Sequence, residues 1–289
     1  MKAGLLEARG LTFPTLEAGQ GPLVLCVHGF PDHPRSFRHQ VPALAAAGYR
    51  AVAPTMRGYA PGAIPADGRY QSAVLAQDVI AWIDALGYDD AVVFGHDWGA
   101  IAAYAAALAA PRRLRKLVVD ALPYGTQFLT AFSTSYEQQK RSWYMFFFQT
   151  PVAEVAVAHD DFRFLERLWR DWSPGWKWPP EEMAALKETF RQPGVLQAAL
   201  GYYRALFNPA LDDPALAELQ GRMNVAPIDV PALMIHGADD GCIGRELVAG
   251  MEAFFPRGLS TEIVPAAGHF VHQERPAVVN RLILDFLAR

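Results

Sequence analysis

Leu23-Val24-Leu25-Cys26-Val27 is an unbroken apolar run that stops at His28-Gly29-Phe30-Pro31, and it limits the folds open to this chain. A strand with one wet face alternates apolar and polar residues, whereas one with no polar position must be covered on both faces. The same kind of run returns along the chain. Tyr49–Pro54, Ala91–Phe94, Leu114–Val119, Val230–His236 and Thr261–Val264 read as further strands. Helical stretches separate them: Val41–Ala47, then Ser72–Leu86, with Val74, Leu75, Val79, Ile80, Trp82 and Ile83 available to one face, then a small-residue segment from Ile101 to Ala110. Strand and helix in alternation predict an α/β domain with a mostly parallel central sheet and helices on both faces.

The alternation breaks after Asp120. From about Thr126 to Ala226 the sequence is helical and aromatic, with Trp143, Tyr144, Phe146, Phe147, Phe148, Trp169 and Trp172 among its residues, and no convincing strand. The simplest account is a core of residues 1–125 and 227–289, interrupted by a helical lid at 126–226 and closed by a helix over Pro276–Leu287. A chain of 289 residues, 52% of them hydrophobic, is long enough for one such domain with an inserted subdomain.

Composition removes several function classes. A net charge of −4 with no basic stripe argues against a nucleic-acid partner. Cys26 and Cys242 are too far apart for a zinc-type spacing and make no disulfide framework. No metal or organic cofactor is implied. The N-terminal residues lack the apolar stretch of a signal peptide, and no apolar run reaches the ~20 residues of a membrane span. The expected setting is reducing and cytoplasmic. The chain is expected as a monomer or homodimer, the aromatic-rich insertion leaning toward a dimer.

The chemistry centres on Gly95-His96-Asp97-Trp98-Gly99. An apolar strand leads in and a small-residue helix leads out, the context that a G-x-nucleophile-x-G elbow requires. Its nucleophile position holds a carboxylate, Asp97. A carboxylate is already ionised near neutrality and can displace a leaving group from saturated carbon, giving an alkyl ester. Partners follow in the order nucleophile, acid, histidine. Gly237-Ala238-Asp239-Asp240 closes one strand, and Gly268-His269-Phe270 follows the last. His269 is the expected base toward water, with an acid fixing its tautomer. Backbone N–H groups of Trp98 and Phe30 are the expected oxyanion hole, and the Phe30-Pro31 bond is a candidate for the cis form. His28 and His96 are expected to orient loops, and Trp172, Trp176 and Trp178 to form a packed lid edge.

Taken together, His28-Gly29-Phe30-Pro31, Arg57-Gly58-Tyr59, Gly95-His96-Asp97-Trp98-Gly99, Gly237-Ala238-Asp239-Asp240 and Gly268-His269-Phe270 resemble the α/β-hydrolase-fold epoxide hydrolases, which are related to the haloalkane dehalogenases. The likeness spans nearly the whole chain. Ser142-Trp143-Tyr144 and Gly201-Tyr202-Tyr203-Arg204 look like that family's two lid tyrosine segments. The resemblance implies that Tyr144 and Tyr203 protonate the epoxide oxygen. It also implies that Asp240, three residues after Gly237, is the acid, ahead of Asp239 or of Asp120 on the earlier strand. The implied partners are a small apolar epoxide and water. Physical reasoning agrees, because ring opening generates an alkoxide that needs a donor, and a phenol of reference pKa about 10 keeps its proton at neutral pH.

Two rivals compete with this reading. A haloalkane or haloacid dehalogenase uses the same aspartate but must bind halide. Trp98 offers one indole for that, yet Phe30 stands where many such enzymes have Asn, and both lid tyrosines are kept. A non-catalytic ligand receptor on the same scaffold would be expected to lose a catalytic group, and none is missing.

Overall fold

A computed structural model describes residues 1–289. Eight strands form one sheet: β1 (Lys2–Ala8), β2 (Leu11–Ala18), β3 (Leu23–Val27), β4 (Arg50–Pro54), β5 (Ala91–His96), β6 (Leu114–Asp120), β7 (Ala232–Gly237) and β8 (Leu259–Val264), in the order β1-β2-β4-β3-β5-β6-β7-β8. From β4 to β8 every pairing is parallel. The antiparallel hairpin β1–β2 completes one edge and joins β4 through β2. Sequence reasoning missed this hairpin. Its turn is Arg9-Gly10, both at positive φ, and Pro14 inside β2 argues against a strand by the usual rule.

Side chains alternate across the sheet as a doubly covered strand requires. Val24 and Cys26 of β3 face a smaller core built with α1 (Gln40–Ala46) and the C-terminal α12 (Pro276–Leu287). The stripe Val279, Ile283, Phe286 on α12 is the i, i+4, i+7 face that buries there. Leu23, Leu25 and Val27 face the larger core under α2 (Ser72–Ala85) and α3 (Trp98–Ala109). Eight of the 12 residues of α3 are Ala or Gly, so it lies close to the sheet. A Cβ on Gly99 would sit 1.9 Å from the Val27 carbonyl oxygen.

Between β6 and β7 the regular structure is all helical: α4 (Thr126–Thr134), α5 (Tyr136–Arg141), α6 (Trp143–Phe147), α7 (Ala153–Trp172), α8 (Pro180–Arg191), α9 (Val195–Phe207) and α10 (Ala217–Arg222). A left-handed turn at Asp160–Phe162 breaks α7. Phe148, Leu165, Trp169, Leu186, Phe190 and Tyr203 from these helices belong to the same continuous core as the sheet face beneath them. A short α11 (Val271–Glu274) precedes α12.

The strand order fixes where a ligand can go. The chain leaves β3 toward β4 on one side and returns as β5 on the other, so the loops after β3 and β5 part and leave a crevice at the strands' carboxyl ends. Those loops carry Gly29-Phe30 and Asp97.

Candidate active site

Asp97 sits at φ 52°, ψ −117°, between the end of β5 and the first turn of α3. A non-glycine residue held there costs on the order of 1–3 kcal/mol and persists only where packing over-determines it. The turn lifts the carboxylate out of the sheet and into the crevice. Gly29 makes room for it, since a Cβ there would lie 2.3 Å from Asp97 Oδ1. The Phe30 N–H donates to Asp97 Oδ1 at 2.8 Å, and the Phe30-Pro31 peptide is cis. Trp98 opens α3, so its N–H is one of the first-turn donors without a helical partner. His28 braces the same loop, with Nε2 accepting the Met56 N–H at 3.0 Å and Nδ1 facing the Gly29 carbonyl at 2.9 Å.

His269 lies between two carboxylates. Its Nδ1 is 2.9 Å from Asp240 Oδ2, and its Nε2 is 3.7 Å from Asp97 Oδ2 with no hydrogen-bond partner of its own. Asp240 is fixed in turn, its Oδ1 accepting the N–H groups of Cys242 at 2.7 Å and Ile243 at 2.9 Å. Asp240, not its neighbour Asp239, faces the imidazole. Burial alone would push His269 down. The Asp240 carboxylate, and after it Asp97, outweigh burial and lift the imidazole to about 10. Burial opposes the charge on Asp240, but His269 and the backbone donors hold its carboxyl below the ordinary range.

Asp120, the other candidate acid, ends β6 and stands apart. Its Oδ2 is 3.0 Å from His272 Nδ1, yet the geometry is out of line for a hydrogen bond and both carboxylate oxygens lack a partner. Burial raises it to about 7. His272, the second residue of α11, is fully buried, with its ring stacked on Phe37. His96 Nε2 meets the carbonyl of His269 at 3.2 Å.

Two buried phenols stand over the crevice. The rings of Tyr144 and Tyr203 lie 5.5 Å apart, and Tyr203 packs edge-on against Trp98 and Phe30. Burial raises both phenols well above 10, and the Asp97 charge adds to the rise in each. Tyr203 Oη has no hydrogen-bond partner. Tyr202 differs, because its hydroxyl donates to the Arg57 carbonyl at 2.7 Å. Arg57 is itself locked to Asp78 by a buried pair at 2.6 and 2.7 Å. Adjacent helical positions point in different directions, and here one phenol braces the scaffold while the other is left free.

Three features escaped the sequence reading. Trp172, expected as a packed lid edge, touches the histidine: its ring lies 5.1 Å from that of His269, and its carbonyl accepts the N–H groups of both Gly241 and His269 at 3.0 Å. Cys242 Sγ meets Tyr144 Oη at 3.4 Å. Gln138 is a buried lid residue bonded to the loop after β7. None has a local sequence signal, since each contact joins segments far apart in the chain.

A cavity of about 220 Å³ reaches Asp97 from the Trp98 side. Ile101, Leu122, Phe128, Leu129 and Leu206 make its wall predominantly apolar, with Gln220 and Asn224 among the polar exceptions. Asp32, His96 and His272 are the one group whose potential metal-ligand atoms converge, all within 4.8 Å of one another. Burial raises the Asp32 carboxyl well above its ordinary value. No helix is long and apolar enough to cross a membrane.

The family model for the alpha/beta hydrolase fold matches residues 22–276. The chain is 31% identical to the AB hydrolase superfamily protein YfhM of Bacillus subtilis, over 99% of this chain and 98% of that one. It is 30% identical to mouse epoxide hydrolase 4, over 98% of this chain and 78% of the other. A Bacillus megaterium epoxide hydrolase, solved with an inhibitor, superposes with a TM-score of 0.86 at 28% identity, covering 99% of this chain and 100% of that one. Its sheet, its elbow and these similarities place the chain in the epoxide hydrolase family of the α/β-hydrolase fold.

Proposed function

We propose that this protein hydrolyses an epoxide to a vicinal diol through an ester on Asp97. The observation that carries the reading is a buried carboxylate at a nucleophile elbow, facing a histidine, beneath two phenols of which one has no other partner. Asp97 Oδ2 attacks a ring carbon, and the C–O bond breaks toward the oxygen. Tyr203 and Tyr144 donate to that oxygen as charge develops, so a hydroxyalkyl ester forms instead of a free alkoxide. Water then attacks Cγ of Asp97 while His269 Nε2 takes its proton. The N–H groups of Phe30 and Trp98 meet the negative charge on the tetrahedral oxygen, and collapse releases the diol and restores the carboxylate.

The electrostatics suit two successive steps. In the free enzyme two carboxylates hold a proton on His269. Esterification removes one of them, so the imidazole gives up its proton more readily and becomes a base when a base is required. A phenolate left by ring opening is the stronger base, as burial raises both phenols well above 10, and it can take the imidazolium proton back.

The lid at 126–226 closes the site over an apolar cavity, which favours a substrate with substantial apolar surface. Two unpaired buried thiols suit a reducing, cytoplasmic setting. The test is direct: incubate the protein with styrene oxide and an aliphatic epoxide and look for diol, and separately with a bromoalkane and look for bromide. Diol without bromide is expected. Bromide without diol would sink the proposal in favour of dehalogenation.

A further inference from the structure

Gln138 is a primary amide buried at the base of the lid, and burying one is costly unless its bonds are made. Its Nε2 donates to Ser142 Oγ and to the Cys242 carbonyl, both at 2.9 Å, and its Oε1 accepts the Gly244 N–H at 3.0 Å. Ser142 is the residue before α6, which carries Tyr144. Cys242 and Gly244 belong to the loop after β7, where the Cys242 N–H also holds Asp240. One side chain thus splices the tyrosine's helix to the loop of the acid. The Cys242 thiol, fully buried, meets the Tyr144 hydroxyl at 3.4 Å. Tyr203 has no counterpart.

Resting on the reading of Tyr144 as a proton donor, we infer that Cys242 is a positioning residue for the Tyr144 hydroxyl and that Gln138 holds the thiol in place. Neither bonds to substrate. A thiol is a weak donor and a weak acceptor. It sets the rotation of the phenol O–H without competing strongly with an incoming epoxide oxygen, and the splice ties that orientation to the loop that holds Asp240.

Two measurements on the full-length protein test this, one independent of turnover. In a Cys26→Val background Cys242 is the only thiol, and its S–H infrared stretch reports its partner. Tyr144→Phe is expected to shift that band, and Gln138→Met to shift it in the same direction. A band unmoved by Tyr144→Phe overturns the pairing, whether or not the protein opens epoxides. The second measurement is the single-turnover rate of ester formation. Cys242→Val is expected to slow it about fivefold, the worth of one modest hydrogen bond, with Cys242→Ser recovering most of the loss. In a Tyr144→Phe background the same change is expected to matter less than twofold. Equal losses in both backgrounds would mean that Cys242 only packs, and would overturn its role toward Tyr144. Absence of ester in the unmodified protein would instead count against the proposed function, with the infrared result standing on its own.

Discussion

Replacing Asp97 by Asn removes one of the two charges that hold a proton on His269 while keeping the size of the side chain. Unit charges 3.7 Å apart at an effective dielectric of about 20 attract by about 4 kcal/mol, or roughly 3 pH units. The imidazole stands at about 10 with both carboxylates present, so in Asp97→Asn it is expected to titrate near 7. Asp240→Asn removes the larger influence and is expected to lower it further. The assay is an NMR titration of the His269 ring nitrogens in each variant. The esterified enzyme resembles Asp97→Asn in charge, so ester hydrolysis should turn on with an apparent pKa near 7. If His269 in Asp97→Asn still titrates above about 9, Asp240 alone holds the proton, and the idea that esterification creates the base is wrong. The same shift has a stability signature. A folded-state pKa above the unfolded 6.5 means that the pairing stabilises fully below about pH 6.5 and fades as pH rises through about 10.

His269→Gln should accumulate protein heavier by one epoxide, and in wild type a single turnover in ¹⁸O-water should give unlabelled diol with the label in Asp97. Label in the first diol would argue for direct attack by water. Tyr203→Phe and Tyr144→Phe together should slow ring opening by at least about a hundredfold, within the range for general acids; near-normal ester formation would show that the donors are misassigned. Asp120→Asn should stabilise the fold increasingly between about pH 4 and pH 7, since burial raises the folded carboxyl to about 7 and its ionisation works against folding. The gain at pH 8 is on the order of 4 kcal/mol at most, read from urea midpoints, and a pH-independent difference would show that Asp120 is not a strained anion.

The sheet was readable because fully buried strands leave unbroken apolar runs, and the elbow because its glycines answer to close backbone approach, as Gly99 does against Val27. Choices between neighbours were not readable from local sequence. Asp239 and Asp240 are chemically alike, and only the bend after β7 determines which one meets the imidazole. Tyr202 and Tyr203 differ in the direction a helix gives them, and Arg57 claims the first. Gln138 and Cys242 are separated by 104 positions, so no window along the chain contains both. The N-terminal hairpin was hidden by Pro14 and by a turn lacking the usual Asn-Gly signature.

The Trp172 carbonyl sits at the end of α7 and bonds to the loops of both Asp240 and His269. Swinging this part of the cover away would strip a hydrogen bond from each loop and disturb the alignment of acid and base. The cavity of about 220 Å³ that reaches Asp97 from the Trp98 side offers an approach to the carboxylate that leaves both of these bonds in place.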